Sequence, residues 1–105
     1  MQIRFKTKEI KELFEDFAKM KKIIGDKRTR LIKKQFDRIR AARNMGEFFK
    51  LGLGKPHRLS GNYDGCYGVH VDANFRLIIR PLLEGNQEVI VCEIVRVEKM
   101  EDYHG

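Results

Sequence analysis

Across residues 67–97 the side chains alternate in kind, and that alternation restricts the chain to folds built on a sheet. Tyr67, Val69 and Val71 take turns with Gly68, His70 and Asp72, the period of two expected of a half-buried strand. After a short polar break, Asp72-Ala73-Asn74, a second strand follows, in which Phe75, Leu77 and Ile79 alternate with Arg76, Ile78 and Arg80. Glu84-Gly85-Asn86 supplies turn chemistry, because Gly and Asn accept a positive φ. Residues 89–97 are apolar apart from Glu93 and Arg96, which predicts a third strand, covered on both faces. Arg76 is the informative residue. It projects from the polar face of a central strand, on a backbone with little freedom to move.

The chain ahead of this block reads as one strand and two helices. Gln2 to Phe5 alternates, with Ile3 and Phe5 on one side. Thr7 suits an N-cap, and Ile10, Leu13, Phe14 and Phe17 then recur at helical spacing, with Glu9, Lys11, Glu12, Glu15 and Lys19 on the wet side. Gly25-Asp26 ends that helix and starts another, with Asp26 as its cap. The second helix, over residues 27–45, buries Leu31, Ile32, Phe36, Ile39 and Ala42, and displays Lys27, Arg30, Lys33, Lys34, Arg38 and Arg40 on the opposite side. Residues 46–65 read as a loop. Its alternating glycines, Gly52 and Gly54, follow no strand and lack the fuller spacing of a nucleotide-binding fingerprint. The order β-α-α-loop-β-β-β predicts a small single α+β domain over residues 1–105. An N-terminal strand and a two-helix hairpin would pack on a mainly antiparallel, twisted sheet.

Charge narrows the partner. The formal net charge is +7, but residues 19–43 hold eleven Lys and Arg against Asp26 and Asp37, so the remainder is slightly acidic. A basic stripe on a near-neutral body points to a polyanion, nucleic acid before membrane. Cys66 and Cys92 both fall within strand patterns and read as small buried hydrophobes rather than a disulfide or a metal pair. The histidines lack Cys or carboxylate neighbours at zinc-ligand spacing, so no metal is expected. No apolar run exceeds four residues, so neither a signal peptide nor a membrane span is expected, and a reducing cytoplasm is the expected compartment.

Four segments then align, in order, with a known pattern: Lys55-Pro56-His57-Arg58-Leu59-Ser60-Gly61, Tyr67-Gly68-Val69-His70-Val71, Ala73-Asn74-Phe75-Arg76-Leu77 and Glu101-Asp102-Tyr103-His104. Together they resemble the HigB branch of the RelE/ParE toxin superfamily. That branch carries a His-x-Leu-Lys-Gly loop, a strand pair with an Asn-Trp-Arg triplet, and a Tyr-Glu-Asp-Tyr-His-like tail. The likeness is close over the C-terminal half, while the N-terminal half agrees in length, basic charge and helix count. Ser60 stands where the loop lysine would be, bracketed by Lys55 and Arg58, and Phe75 replaces the Trp. The turn around Leu83 to Gln87 is longer than the family pattern. The resemblance implies a compact RelE-like α+β fold and a ribonuclease that cuts mRNA on the ribosome. It also implies no cofactor or small-molecule ligand, and a cognate helix-turn-helix antitoxin.

Metal-free RNA cleavage needs a base for the 2′-OH, cationic donors for the phosphorane-like transition state, and an acid for the leaving 5′-oxygen. His57 and His104 suit base and acid, in either order. Arg76 suits the transition state. Asp102 suits a base or the orienting of a histidine, and Tyr103 stacking on a base or donating a hydrogen bond. Lys55 and Arg58, with the helix cations Lys27, Arg30, Lys33, Lys34, Arg38 and Arg40, suit RNA phosphates. His70 reads as structural or RNA-proximal. Two rival functions share the fold: a ParE-like gyrase-binding toxin, which has no use for acid–base residues, and a basic RNA-binding module with weakened catalysis, which Ser60 favours.

Overall fold

The computed structural model describes residues 1–103. Strand β1 (Gln2–Phe5) sends Ile3 and Phe5 toward the core. Thr7 caps α1 (Lys8–Glu15), its hydroxyl accepting from the Ile10 N–H at 3.2 Å. The single helix expected over Ile10 to Phe17 is instead two. Asp16 closes α1 and caps α2 (Phe17–Ile24), its carboxylate accepting from the Lys19 N–H. Aspartate competes for backbone N–H groups in this way, and the helix breaks where it does. The aromatic rings of Phe5, Phe14, Phe17 and Phe36 gather there, with paired centroids 5.0 to 6.5 Å apart.

Gly25, not Asp26, occupies the cap position of α3 (Asp26–Ala41), using a φ of 88° that favours glycine. Asp26 is the first helical residue, where a carboxylate suits the helix dipole. Ile32, Phe36, Ile39 and Ala42 are buried as expected, whereas Leu31 is only half-buried. The helix ends at Ala41 rather than 45 because a further helix, α4 (Met45–Leu51), begins inside the expected loop. Asn44 caps it, accepting from the Glu47 N–H at 2.9 Å, and the Glu47 carboxylate reaches back to the Arg43 N–H. Met45 and Phe48 are completely buried. The expected two-helix hairpin is therefore a set of four helices.

The remaining strands are β2 (His57–Arg58), β3 (Tyr67–Asp72), β4 (Phe75–Pro81) and β5 (Ile94–Asp102). The sheet order is β1-β5-β4-β3-β2, parallel only between β1 and β5. The last strand thus starts later and runs further than residues 89–97. Val89–Val91 forms a 3-10 turn that leaves Ile90 and Val91 exposed. Helices cover one face of the sheet, where Val69, Leu77, Ile79, Val95 and Val97 meet Met20, Ile32, Ile39 and Phe48 in one core. The other face carries the candidate site.

β5 contains a bulge that decides which of its residues reach that face. Ile78 pairs with Lys99 but Ile79 with Val97, so Glu98 is an extra residue. Before it, Val95 and Val97 point at the helices. After it the alternation is inverted: Met100 packs toward the core, and Lys99 and Glu101 stand on the other side. A similar shift in β3, between His70 and Asp72, puts Asp72 opposite Phe75.

Candidate active site

Residues directly opposite on paired strands share a face, so the register sorts the open face into rows. One row runs His57, Gly68, Ile78, Lys99; the next runs His70, Arg76, Glu101. Arg76 is the middle of its row. Its Nε donates to one oxygen of Glu101 at 2.9 Å, its Nη2 lies 2.8 Å from the same oxygen, and both side chains are 19 % exposed. Tyr63 donates from its hydroxyl to the other Glu101 oxygen at 3.2 Å, with the Lys99 ammonium 3.6 Å from the same atom. The guanidinium lies 5.0 Å from the ring centre of Tyr103 and 6.0 Å from that of Tyr63. Arg76 is thus fixed by a carboxylate and flanked by two aromatic rings.

Tyr103 is docked. Its N–H donates to the Asn74 carbonyl at 3.0 Å, and its hydroxyl is 3.2 Å from His70 Nδ1. Asp102 faces the helix side, opposite Phe75, with Arg28 Nη1 at 3.6 Å. Arg28 also pairs with Asp72 at 3.0 Å and lies 4.5 Å from the Phe75 ring centre. Arg28 therefore ties the end of β5 to α3. The structure brings Arg76, Tyr103 and His70 together, with His57 one row away, and puts Asp102 on the far side of the sheet. His104 lies outside the described residues.

His57 is exposed, and its Nδ1 is 3.1 Å from the Lys55 carbonyl oxygen. Its ring lies over Gly68, where an added Cβ would sit 3.1 Å from Cε1. Any side chain at 68 would crowd the ring. Lys55 is exposed, and Arg58, also exposed, has Asp64 at 3.9 Å. The α3 cations occupy the helix layer, on the opposite side of the sheet from Arg76. Lys27, Arg30 and Lys34 line a shallow depression of about 330 Å³ with Leu31, while Lys33 and Arg40 lie over the rings of Phe17 and Phe36. Arg38 is half-buried and Arg30 pairs with Asp26. Two separate basic surfaces result.

Sequence reasoning passed over Tyr63, Glu101 and the contact role of His70. The Lys99/Glu101 alternation with Met100 was the signal for Glu101, but the bulge at Glu98 breaks the parity that would have assigned it to the face of Arg76. Nothing in the pattern around Tyr63 marks it. Cys66 and Cys92 are both buried and free, and burial pushes the Cys66 thiol up. Among the described residues, no group of three or more His, Cys, Asp or Glu is placed to hold a metal. No helix among them is long and apolar enough to cross a membrane.

Glu101 and Glu98 share an electrostatic logic. For each, burial is the largest influence and opposes ionisation. The arginine partners outweigh it: Arg76 for Glu101, aided by Tyr63 and Lys99, and Arg96 with Arg80 for Glu98. Both carboxyls are held below the ordinary value of 4.5. Their contribution to stability is complete above that pH and is lost as pH falls through the lower folded-state values. Glu98→Gln should flatten the acid limb of stability against pH in urea titrations. A limb as steep as the wild type's would assign the acid sensitivity elsewhere.

The five-stranded, mostly antiparallel sheet with helices on one face is an arrangement that a solved structure shares. Specifically, the chain is similar to the YoeB-YefM complex from Staphylococcus aureus, with a TM-score of 0.56 and 19 % identity over 96 % of this chain and 94 % of that one. At that identity the likeness is one of fold. No family model and no curated protein matches the sequence.

Proposed function

We propose that this chain is the toxin of a toxin–antitoxin pair, and that it cleaves mRNA on the ribosome by attack of a 2′-OH on the adjacent phosphodiester. The observation that carries the reading is Arg76, held by Glu101 between Tyr63 and Tyr103 on the sheet face away from the helices. A guanidinium oriented in advance suits a phosphorane-like transition state. Stacking rings on either side suit the flanking bases.

In this scheme His57 and His104 divide the base and acid roles. Tyr103 orients His70 or stacks on a base, and Asp102 acts through Arg28 as a positioning residue that holds the tail. Lys55 and Arg58 meet the mRNA near the cut. The α3 cations Lys27, Arg30, Lys33, Lys34, Arg38 and Arg40 face away from that strand and meet ribosomal RNA phosphates. None of these roles calls for a metal or cofactor. A cognate antitoxin of the helix-turn-helix kind neutralises the toxin, and the cytoplasm is where both act.

Primer extension on a defined mRNA, with and without translating ribosomes, tests this reading. Cuts that need ribosomes are expected. Absence of cuts in both conditions, together with inhibition of gyrase supercoiling, would replace it with the gyrase-binding alternative.

A further inference from the structure

The face of Arg76 holds a second cationic row. Four residues beyond Arg76 on β4, Arg80 pairs with Arg96 of β5, and Arg96 pairs in turn with Arg4 of β1. Three arginines therefore stand side by side on three strands, about 5 Å from one strand to the next. Lys6 is the next residue of that parity after Arg4. Like charges placed directly opposite repel. The carboxylate paired with Arg80 and Arg96 is Glu98, the bulged residue, whose side chain is 4 % exposed. It accepts from Arg80 Nε at 2.8 Å and from Arg96 Nε and Nη2 at 2.6 and 3.2 Å. Arg4 and Lys6 form no ion pair among the described residues.

The row has donors to spare. Arg80 and Arg96 are 32 % and 35 % exposed. Arg80 Nη2 and Arg96 Nη1 take no hydrogen bond among the described residues. A cluster that served stability alone would do as well with apolar residues of similar volume. Surplus guanidinium donors, oriented by a buried carboxylate, are what phosphate oxygens require.

We propose that Arg4, Arg80 and Arg96, with Lys6, form a second phosphodiester-binding subsite that grips single-stranded RNA away from the bond cut at Arg76. It rests on the RNA-cleaving reading. From Arg76 to Arg80 the strand spans about 13 Å, the reach of a couple of nucleotides, and Lys99 stands in the row between them. The RNA backbone runs from Arg76 past Lys99 to the β1 edge.

The test measures binding of the full chain to a short fluorescein-labelled single-stranded RNA, by anisotropy over a range of KCl concentrations. Arg4→Gln/Lys6→Gln changes two residues on the edge strand side and leaves the Glu98 pairs intact. It should lower the slope of log affinity against log salt by about 1.4, at roughly 0.7 for each single-strand phosphate contact. Binding at low salt should weaken several-fold while the positions of mRNA cleavage stay the same. Arg96→Gln/Glu98→Gln, which removes a cation with its carboxylate, should act in the same direction, its fold checked by a thermal melt. Wild-type slope and affinity in Arg4→Gln/Lys6→Gln would overturn the subsite while leaving cleavage at Arg76 standing. Wild-type binding to polyglutamate but not to RNA would overturn both and assign the row to an acidic protein.

Discussion

Arg76→Ala is expected to lower ribosome-dependent mRNA cleavage by about 10²- to 10³-fold, the usual cost of removing one oriented transition-state donor. The expectation follows from how Arg76 is held. Glu101 engages its Nε and Nη2 through a single oxygen, and Tyr63 and Lys99 engage the other. The guanidinium is therefore positioned before substrate arrives. Arg76→Lys should recover little, because an ammonium lacks the planar fork that Glu101 grips. Glu101→Gln should give an intermediate loss, since a neutral amide can still accept from Arg76. The cleavage rate on a ribosome-bound mRNA checks all three. Equal rates for Arg76→Ala and wild type would remove Arg76 from the chemistry and leave the face without its central group.

The second large effect concerns stability. Phe48→Ala should cost about 3–5 kcal/mol, a large share of the roughly 5–15 kcal/mol that holds a domain folded. Phe48 is 0 % exposed and belongs to α4, the helix that precedes β2 and its His57. Leu51, on the same helix, is 47 % exposed, and Leu51→Ala should stay within about 0.5 kcal/mol of wild type. Urea unfolding followed by far-UV circular dichroism measures both. A Phe48→Ala midpoint no lower than that of Leu51→Ala would contradict the packing of α4 into the core.

The two strands around Arg76 were legible because their alternation is regular. Tyr67 to Val71 and Phe75 to Ile79 announce their faces, and with them the place of Arg76 on a central strand. Thr7 was legible as a cap because a hydroxyl precedes a helical apolar pattern. What escaped was set by single residues that break a period. Asp16 splits a continuous apolar stripe without interrupting its spacing. Asn44 and Glu47 did signal a helix start, but Gly46 and Gly52 gave the segment the look of a loop. Glu98 inverts the parity of β5, so Glu101 could not be assigned to the Arg76 face from alternation alone. Asp102 has the same cause in reverse: the bulge that brings Glu101 to Arg76 sends Asp102 to Arg28. The candidate site was thus half visible. Arg76, His57 and Tyr103 came from the residues and their resemblance, while Glu101, Tyr63 and the Tyr103–His70 contact needed the register.

In the proposed chemistry the Arg76 face directs a 2′-OH against the neighbouring phosphodiester. Its most direct test is a ribosome-bound mRNA carrying a 2′-deoxy sugar at the nucleotide just 5′ of the mapped cut. Loss of cleavage at that bond, with unmodified mRNA cut normally, is the expected result. Cleavage of the deoxy bond at the unmodified rate would rule that chemistry out, because no 2′-oxygen would then be available to attack.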